Sequence, residues 1–258
     1  MKKYPFWVIK ADAKRLLRGK WKPLVLSLFI PFLLFAAFYV NASEKLATLE
    51  PTSIQEGKYL FYVQIASVIF SVVMQLLTVG IYENLKPSRP KANFFLVYGV
   101  ACKKIWKMLP TLFVTIILPN VITLWLSSEN AIRFYDYLLF SVLDYHVYLM
   151  AVTVFVNVIQ ILVFYLQYSL LLVPAITVEH PEYGGLRLMK ESFRVTKGNR
   201  IYLLMLSFSF VGWMILGSLA LCIGVLWAML YMLAANYAYY RRITVIEEPI
   251  TVSDVLES

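Results

Sequence analysis

Long stretches of this chain carry no charged side chain, and they alternate with short basic segments. The uncharged, mostly apolar runs cover residues 23–42, 59–82, 108–127, 147–178 and 201–240. A helix of about 20 such residues crosses roughly 30 Å of hydrocarbon, so each run predicts a membrane span. The last run would be about 60 Å long as one helix, twice the need. It divides best near residues 221–224 into spans 201–220 and 223–240 joined by a tight turn. The fourth run is too short to divide; it is expected to tilt, or to extend past the membrane near Pro174. The pattern predicts an all-α integral membrane protein with six transmembrane helices. They form a single domain over residues 1–242, and a short acidic tail, 243–258, follows.

Composition removes the soluble alternatives. The chain is 60% hydrophobic, 16% aromatic and only 15% charged, whereas soluble domains carry about a quarter charged residues. The distribution of charge then orients the spans. Of 24 Lys and Arg, only Lys45, Lys58 and Arg133 fall in the odd-numbered loops. The rest lie before the first span, in segments 86–107 and 187–200, and at Arg241-Arg242. Lys and Arg accumulate on the cytoplasmic side, so both termini are expected in the cytoplasm. With five spans Arg241 and Arg242 would be stranded outside; with six they are not. The net charge of +9 hugs the span ends, where anionic lipid headgroups are the nearest counter-charge. Nucleic acid is not expected as a partner.

Val40-Asn41-Ala42 has the small-residue spacing of a signal-peptidase site. The basic region before it is long for a signal peptide and Pro31 interrupts the apolar core, so this run is expected to stay as a span. Cys102 falls in a cytoplasmic segment and Cys222 near an outer turn. On opposite faces they cannot pair, and no disulfide framework is expected.

The segments before spans one, three and five share a design: an amphipathic stretch, a basic corner, then a new span. In the first, Phe6, Ile9, Ala13, Leu16 and Leu17 fall at helical spacing among Lys14, Arg15 and Arg18, ahead of Gly19-Lys20-Trp21-Lys22. In the second, Phe94, Phe95, Val97 and Tyr98 precede Lys103-Lys104-Ile105-Trp106-Lys107. In the third, Leu186, Met189, Phe193 and Val195 precede Lys197-Gly198-Asn199-Arg200. Such helices lie in the membrane interface on the cytoplasmic face, with Lys and Arg toward headgroups and Trp at headgroup level. Lys14, Arg15, Arg18, Trp21, Lys103, Lys104, Trp106, Lys197 and Arg200 are the candidate lipid anchors. The bland alternative is that any cytoplasmic loop of a membrane protein is basic and amphipathic. Arg15-x-x-Arg18-Gly19 against Arg194-x-x-Lys197-Gly198 is the best internal match.

Ala13-Lys14-x-x-Leu17-x-Gly19-x-Trp21 and a C-terminal block carry a wider resemblance. The block includes Lys197-Gly198-Asn199-Arg200, Gly212-Trp213, Leu226-Trp227, Tyr231 and Tyr239-Tyr240. Together they resemble an integral-membrane family of unknown function found in mostly Gram-positive bacteria. That family is similar to the membrane domain fused to some bacterial glycerophosphodiester phosphodiesterases. This chain departs from the pattern at Cys222-Ile223-Gly224 and at Leu230, near the last hairpin. The resemblance implies a fold and a bacterial cytoplasmic membrane, and no established chemistry.

Within the spans the polar residues are amides, among them Gln64, Gln75, Asn120, Asn157, Gln160, Gln167 and Asn236. Asn157, Gln160 and Gln167 share one helix face, which reads as a polar cavity or as interhelical hydrogen bonding. Pro31 and Pro119 lie inside spans and read as packing kinks, or as the broken helices of a binding site. Glu179-His180-Pro181-Glu182 could serve acid–base work, but a zinc site needs three or four ligands and none converge here. No phosphate loop, nucleophile elbow or zincin helix is present. Catalytic residues, metal and cofactors are therefore not expected. The leading expectation is a non-enzymatic membrane module that binds anionic lipid or organises a partner through its basic corners. The alternative is the membrane subunit of an exporter or permease, or an immunity protein against a membrane-active peptide. Lacking a nucleotide-binding motif, such a subunit would need a separate ATPase. A lipid-headgroup enzyme would rest on His180 alone.

Overall fold

The computed structural model describes residues 4–48, 54–126, 145–219 and 223–244, and every element in them is helical. α1 (Phe6–Leu17) precedes α2 (Trp21–Ala47) and α3 (Ile54–Leu85). α4 (Phe94–Leu112) runs through a π-helical turn, Phe113–Ile117, into α5 (Leu118–Leu126). α6 (Tyr145–Ser169) and the short α7 (Val173–Glu179) follow, then α8 (Gly185–Thr196). α9 (Arg200–Phe208), α10 (Val211–Leu219) and α11 (Ile223–Thr244) complete the bundle. Five described segments are long and apolar enough to cross a membrane: Trp21–Ala47, Lys58–Leu85, Phe94–Ile122, Thr153–Glu179 and Arg200–Leu219. The expected acidic tail lies outside the described residues.

α11, with 22 residues, is the hub. Leu226, Leu230, Leu233, Ala234, Ala235, Tyr237, Ala238, Tyr239 and Tyr240 are all buried. From Leu233 onward the burial covers every face, the signature of a core helix. Its neighbours are α1, α2, α3 and α10. The junction with α10 is close: a Cβ on Gly224 would lie 2.6 Å from the Gly217 Cα. That contact makes the helical hairpin which the 40-residue uncharged run demands.

The first and third basic corners fold alike. α1 and α8 both end in a type II turn, with Arg18 at φ −56°, ψ 122° and Lys197 at φ −58°, ψ 121°. Gly19 and Gly198 follow at φ 74° and 82°, a conformation that a Cβ disfavours. Lys20 N–H donates to the Leu17 carbonyl and Asn199 N–H to that of Thr196, each at 2.9 Å. The second corner differs from expectation. No separate helix precedes the third span, because α4 begins at Phe94 and continues straight through Lys103–Lys107. The reason is local: that corner holds no glycine or proline able to turn the chain.

α1 and α8 each bury one face against protein. Ile9, Ala13 and Leu17 of α1 are fully buried, and α1 packs on α11. Leu188, Ser192 and Thr196 of α8 are likewise buried, against α4 and α7. Tyr202 O–H donates to the Tyr4 carbonyl at 2.8 Å and Tyr231 O–H to the Lys10 carbonyl at 3.0 Å, while Arg242 pairs with Asp12. Tyr231 and Arg242 thereby fasten α1 to the middle and the C-terminal end of α11, and Tyr202 ties the residues before α1 to α9.

Three backbone carbonyls that lose their helical donor are served by side chains of neighbouring helices. Pro31 has no N–H for the carbonyl four residues back, that of Ser27, and the Tyr98 hydroxyl donates there at 2.9 Å. Pro119 likewise leaves the Thr115 carbonyl free, inside the π-helical turn, and the Gln167 Nε2 donates to it at 3.1 Å. At the end of α6, Val173 N–H bonds to Leu170, so the Ser169 carbonyl lacks its helical donor. Ser192 Oγ supplies one at 2.7 Å and Thr196 Oγ1 another at 3.3 Å. This break divides the fourth uncharged run just before Pro174, where a tilt or an extension is the expectation from sequence.

The Pro31–Tyr98 pairing makes a double-mutant prediction. Tyr98→Phe should cost about 0.6 kcal/mol, and at most roughly 1.7, of stability. In a Pro31→Ala background residue 31 regains an N–H for Ser27, and the same Tyr98→Phe change should cost almost nothing. Thermal unfolding of the four purified proteins measures the coupling; equal costs in both backgrounds would exclude it.

Candidate functional site

The basic residues of the corners and span ends divide into those turned inward and those left outside. Glu83, near the end of α3, is buried and accepts from Arg89 at 3.2 Å and from Lys86 and Lys104 at 3.4 Å. Lys104 also donates to the Thr177 carbonyl at 3.0 Å, so it is an internal clasp between α4 and α7. Lys20, buried at the first corner, donates to the Asn84 carbonyl at 2.9 Å and the Lys86 carbonyl at 3.3 Å. It caps the negative C-terminal end of α3; burial, with Arg89 nearby, holds its pKa below the ordinary lysine value. Trp21 also turns inward, its ring stacked on Trp227 with centroids 4.6 Å apart.

Lys14, Arg18, Lys103 and Lys197 are exposed, and Arg15 is half-buried. Trp106 is 78% exposed, a position that suits a headgroup-level anchor. His180 caps the end of α7, stacks on Tyr183, and faces Glu182 at 3.1 Å. No group of three or more metal-ligating side chains occurs among the described residues.

Arg200 has a different setting. The type II turn at Lys197-Gly198 delivers it as the first residue of α9, facing α6. Its guanidinium lies 4.2 Å from the Tyr165 ring centroid and donates to the Tyr165 hydroxyl. A guanidinium has five N–H donors, so this bond leaves others to offer. It stands in a trough of about 420 Å³ between α6 and α9, whose other walls are Ile161, Phe164, Tyr165, Tyr168, Gly198, Ile201 and Leu204. The trough is almost wholly apolar apart from that one cation.

The polar face expected on the fourth span is only partly assembled. Gln167 reaches the Thr115 carbonyl, but Asn157 and Gln160 are exposed, and Asn157 bonds to the Thr153 carbonyl of its own helix at 2.7 Å. The amides that do converge come from other spans. Gln64 Nε2 donates to Asn120 Oδ1 at 2.6 Å, and Thr115 Oγ1 meets Gln75 Oε1 at 3.0 Å. Gln75, Thr115, Asn120 and Gln167 line a second cavity, of about 380 Å³, together with Thr78 and Tyr82. Leu170, Leu171, Pro174, Met229 and Leu233 are its main apolar lining.

Over residues 5–247 the sequence matches the family described as protein of unknown function, DUF975. The chain belongs to the DUF975 family. No curated protein and no solved structure matches it. What the DUF975 fold can do must therefore be argued from its own side chains.

Several of those side chains escape a reading by runs and spacings. Glu83 is the main one. Its only signal is position, an acid one residue beyond an uncharged run with Lys86 and Arg89 close behind. Tyr82, Tyr98 and Gln75 give no signal, since apolar spans commonly hold tyrosines and amides. The clasp generates a contrast that stability measurements can read. Glu83→Gln should cost about 3 kcal/mol by leaving three cations without their shared partner. Lys103→Met, at an exposed site, should stay within about 0.5 kcal/mol. Thermal unfolding tests both, and similar costs would mean Glu83 does not hold the clasp.

Proposed function

We propose that this protein is a non-catalytic, six-span module of the bacterial cytoplasmic membrane that holds an anionic phospholipid of the inner leaflet. The observation that carries the reading is the trough between α6 and α9. A lipid needs an apolar channel for an acyl chain and a cation for its phosphate, and Arg200 closes an otherwise apolar groove. A guanidinium also matches phosphate geometry, with two parallel donors. Trp106 and the exposed Lys14, Arg18, Lys103 and Lys197 would seat the module on the headgroups around it.

Two features support the sidedness and the sixth crossing. Arg242 pairs with Asp12, so the first helix and the end of the last meet on one side, as an even number of crossings requires. α11 spans about 33 Å over its 22 residues, enough to cross. The basic corners put that common side in the cytoplasm. Phe94–Ile122 has 29 residues, about 44 Å, which leaves its first turns, including the exposed Cys102, outside the hydrocarbon. In a Cys222→Ser background, a membrane-impermeant maleimide should label Cys102 only after cells are permeabilised. Labelling of intact cells would reverse the orientation.

Native mass spectrometry of the intact protein, released from nanodiscs containing phosphatidylcholine and phosphatidylglycerol, tests the lipid site. The wild type should retain one phosphatidylglycerol in preference to phosphatidylcholine. Arg200→Ala should weaken that preference about ten- to a hundredfold, the worth of a hydrogen bond to a charged group. Arg18→Ala should not. Equal retention of both lipids would refute the reading, and a stoichiometric ATPase co-purifying from native membranes would favour an exporter subunit.

A further inference from the structure

The second cavity lies among the spans, and no charged side chain lines it. We infer that it is a binding site for an uncharged, hydroxyl-bearing amphiphile, distinct from the Arg200 trough. Three polar groups at the cavity have capacity left over among the described residues. Gln167 donates its Nε2 to the Thr115 carbonyl and keeps Oε1 as an acceptor. Thr115 Oγ1 shares its one proton between the Thr111 carbonyl at 2.8 Å and Gln75 Oε1 at 3.0 Å, and Gln75 keeps Nε2 as a donor. The Tyr82 hydroxyl, on a buried ring stacked against Tyr237 with centroids 5.1 Å apart, makes no hydrogen bond to a described residue.

A free acceptor beside a free donor is the complement of a hydroxyl group, which donates to one and accepts from the other. A carboxylate could not donate to Gln167, and an ammonium could not accept from Gln75. Either would also enter the membrane without a counter-ion. The remaining walls are aliphatic, from Leu170, Leu171, Met229 and Leu233, and suit a hydrocarbon tail. Ser71 and Gln167 are exposed, so the cavity reaches the outside of the bundle. Its volume of about 380 Å³ falls in the range of ligand pockets, roughly 300–1,000 Å³.

Asn236 is an independent sign. It is buried, and neither side-chain amide atom has a hydrogen-bond partner among the described residues. It lies three residues beyond Leu233 and seven beyond Met229, on the α11 face that walls the cavity. Orphaned amides of this kind are rare in finished cores. Here one follows the α11 wall of the cavity by a single helical turn.

The test uses the full chain in phosphatidylcholine nanodiscs and a dodecanol carrying a diazirine at its tail. Photolysis and peptide mapping should place the label on Leu171, Met229 or Leu233. Unlabelled dodecanol should suppress it, whereas dodecanoate, dodecylamine and dodecane should not. Gln75→Leu should lower the labelling about tenfold, as expected for one lost hydrogen bond, and Arg200→Ala should leave it unchanged. If Gln75→Leu does not fold, the mapping and competition on the wild type decide alone. Label spread over outward residues such as Ile69 and Phe155, label concentrated on Ile161 and Ile201, or equal competition by dodecane or dodecanoate would each overturn the inference. None of those outcomes bears on phosphatidylglycerol retention, so the two readings stand or fall separately.

Discussion

A backbone carbonyl that loses its helical donor inside a bilayer has no water to turn to, and the arrangement of this bundle follows from that need. Ser27, Thr115 and Ser169 each lose a donor, and each is served by side chains of another helix. The three bonds tie α2 to α4, the π-helical turn to α6, and α6 to α8. Each contributes little, on the order of 0.6 kcal/mol, yet a hydrogen bond is directional where apolar packing is not. With lipid tails as apolar as leucine, packing alone discriminates weakly between one helix register and another. These bonds supply the register, and the polar cavity beside the π-helical turn is a consequence of one of them.

How much of this was legible in the residues depends on whether the signal was local. The uncharged runs, the hairpin within residues 201–240 and the Gly19 and Gly198 corners are local. A positive φ needs glycine, and Arg15-x-x-Arg18-Gly19 recurs as Arg194-x-x-Lys197-Gly198, so the backbone match was readable. The second corner carries basic residues like the other two but no glycine, and it is the glycine that turns the chain. α4 continues because nothing there stops it. Helix faces were the least legible: Asn157, Gln160 and Gln167 do share a side, but only Gln167 stands opposite another polar group. A span apolar all round gives no local clue to which side faces lipid. That is decided by partners such as Thr115 and Gln75, distant in sequence.

The same distinction sorts the basic residues of the corners. Lys20 and Lys104 look no different in sequence from Lys14 and Lys103, yet the first two are internal fasteners on helix ends and on Glu83. A buried acid needs cations, and Glu83 draws in three of them. What is left exposed is a smaller set than the count of Lys and Arg implies. It is also unevenly placed, since α1 and α8 each bury one face in the core and keep only their outer edges exposed. Among the corner residues Arg200 alone joins a cation to an apolar trough. Charge by itself would not have separated it from Lys197.

Satisfaction elsewhere in the bundle is what gives the cavity its meaning. Asn84 uses both ends of its amide, on the Gly80 carbonyl and on Asn93 N–H, and Asn120 uses both of its own, on Gln64 and the Ile116 carbonyl. Asn93 caps α4 through the N–H of Phe95. Among the described residues, by contrast, Gln75 and Gln167 are each half-used and Asn236 is unused. Within the spans an idle amide lowers stability relative to leucine of similar size, because a polar group out of water gains nothing until it is bonded. Two idle ends of opposite kind, donor and acceptor, bordering one cavity make a poor structural element. They make a good complement to a group that is both.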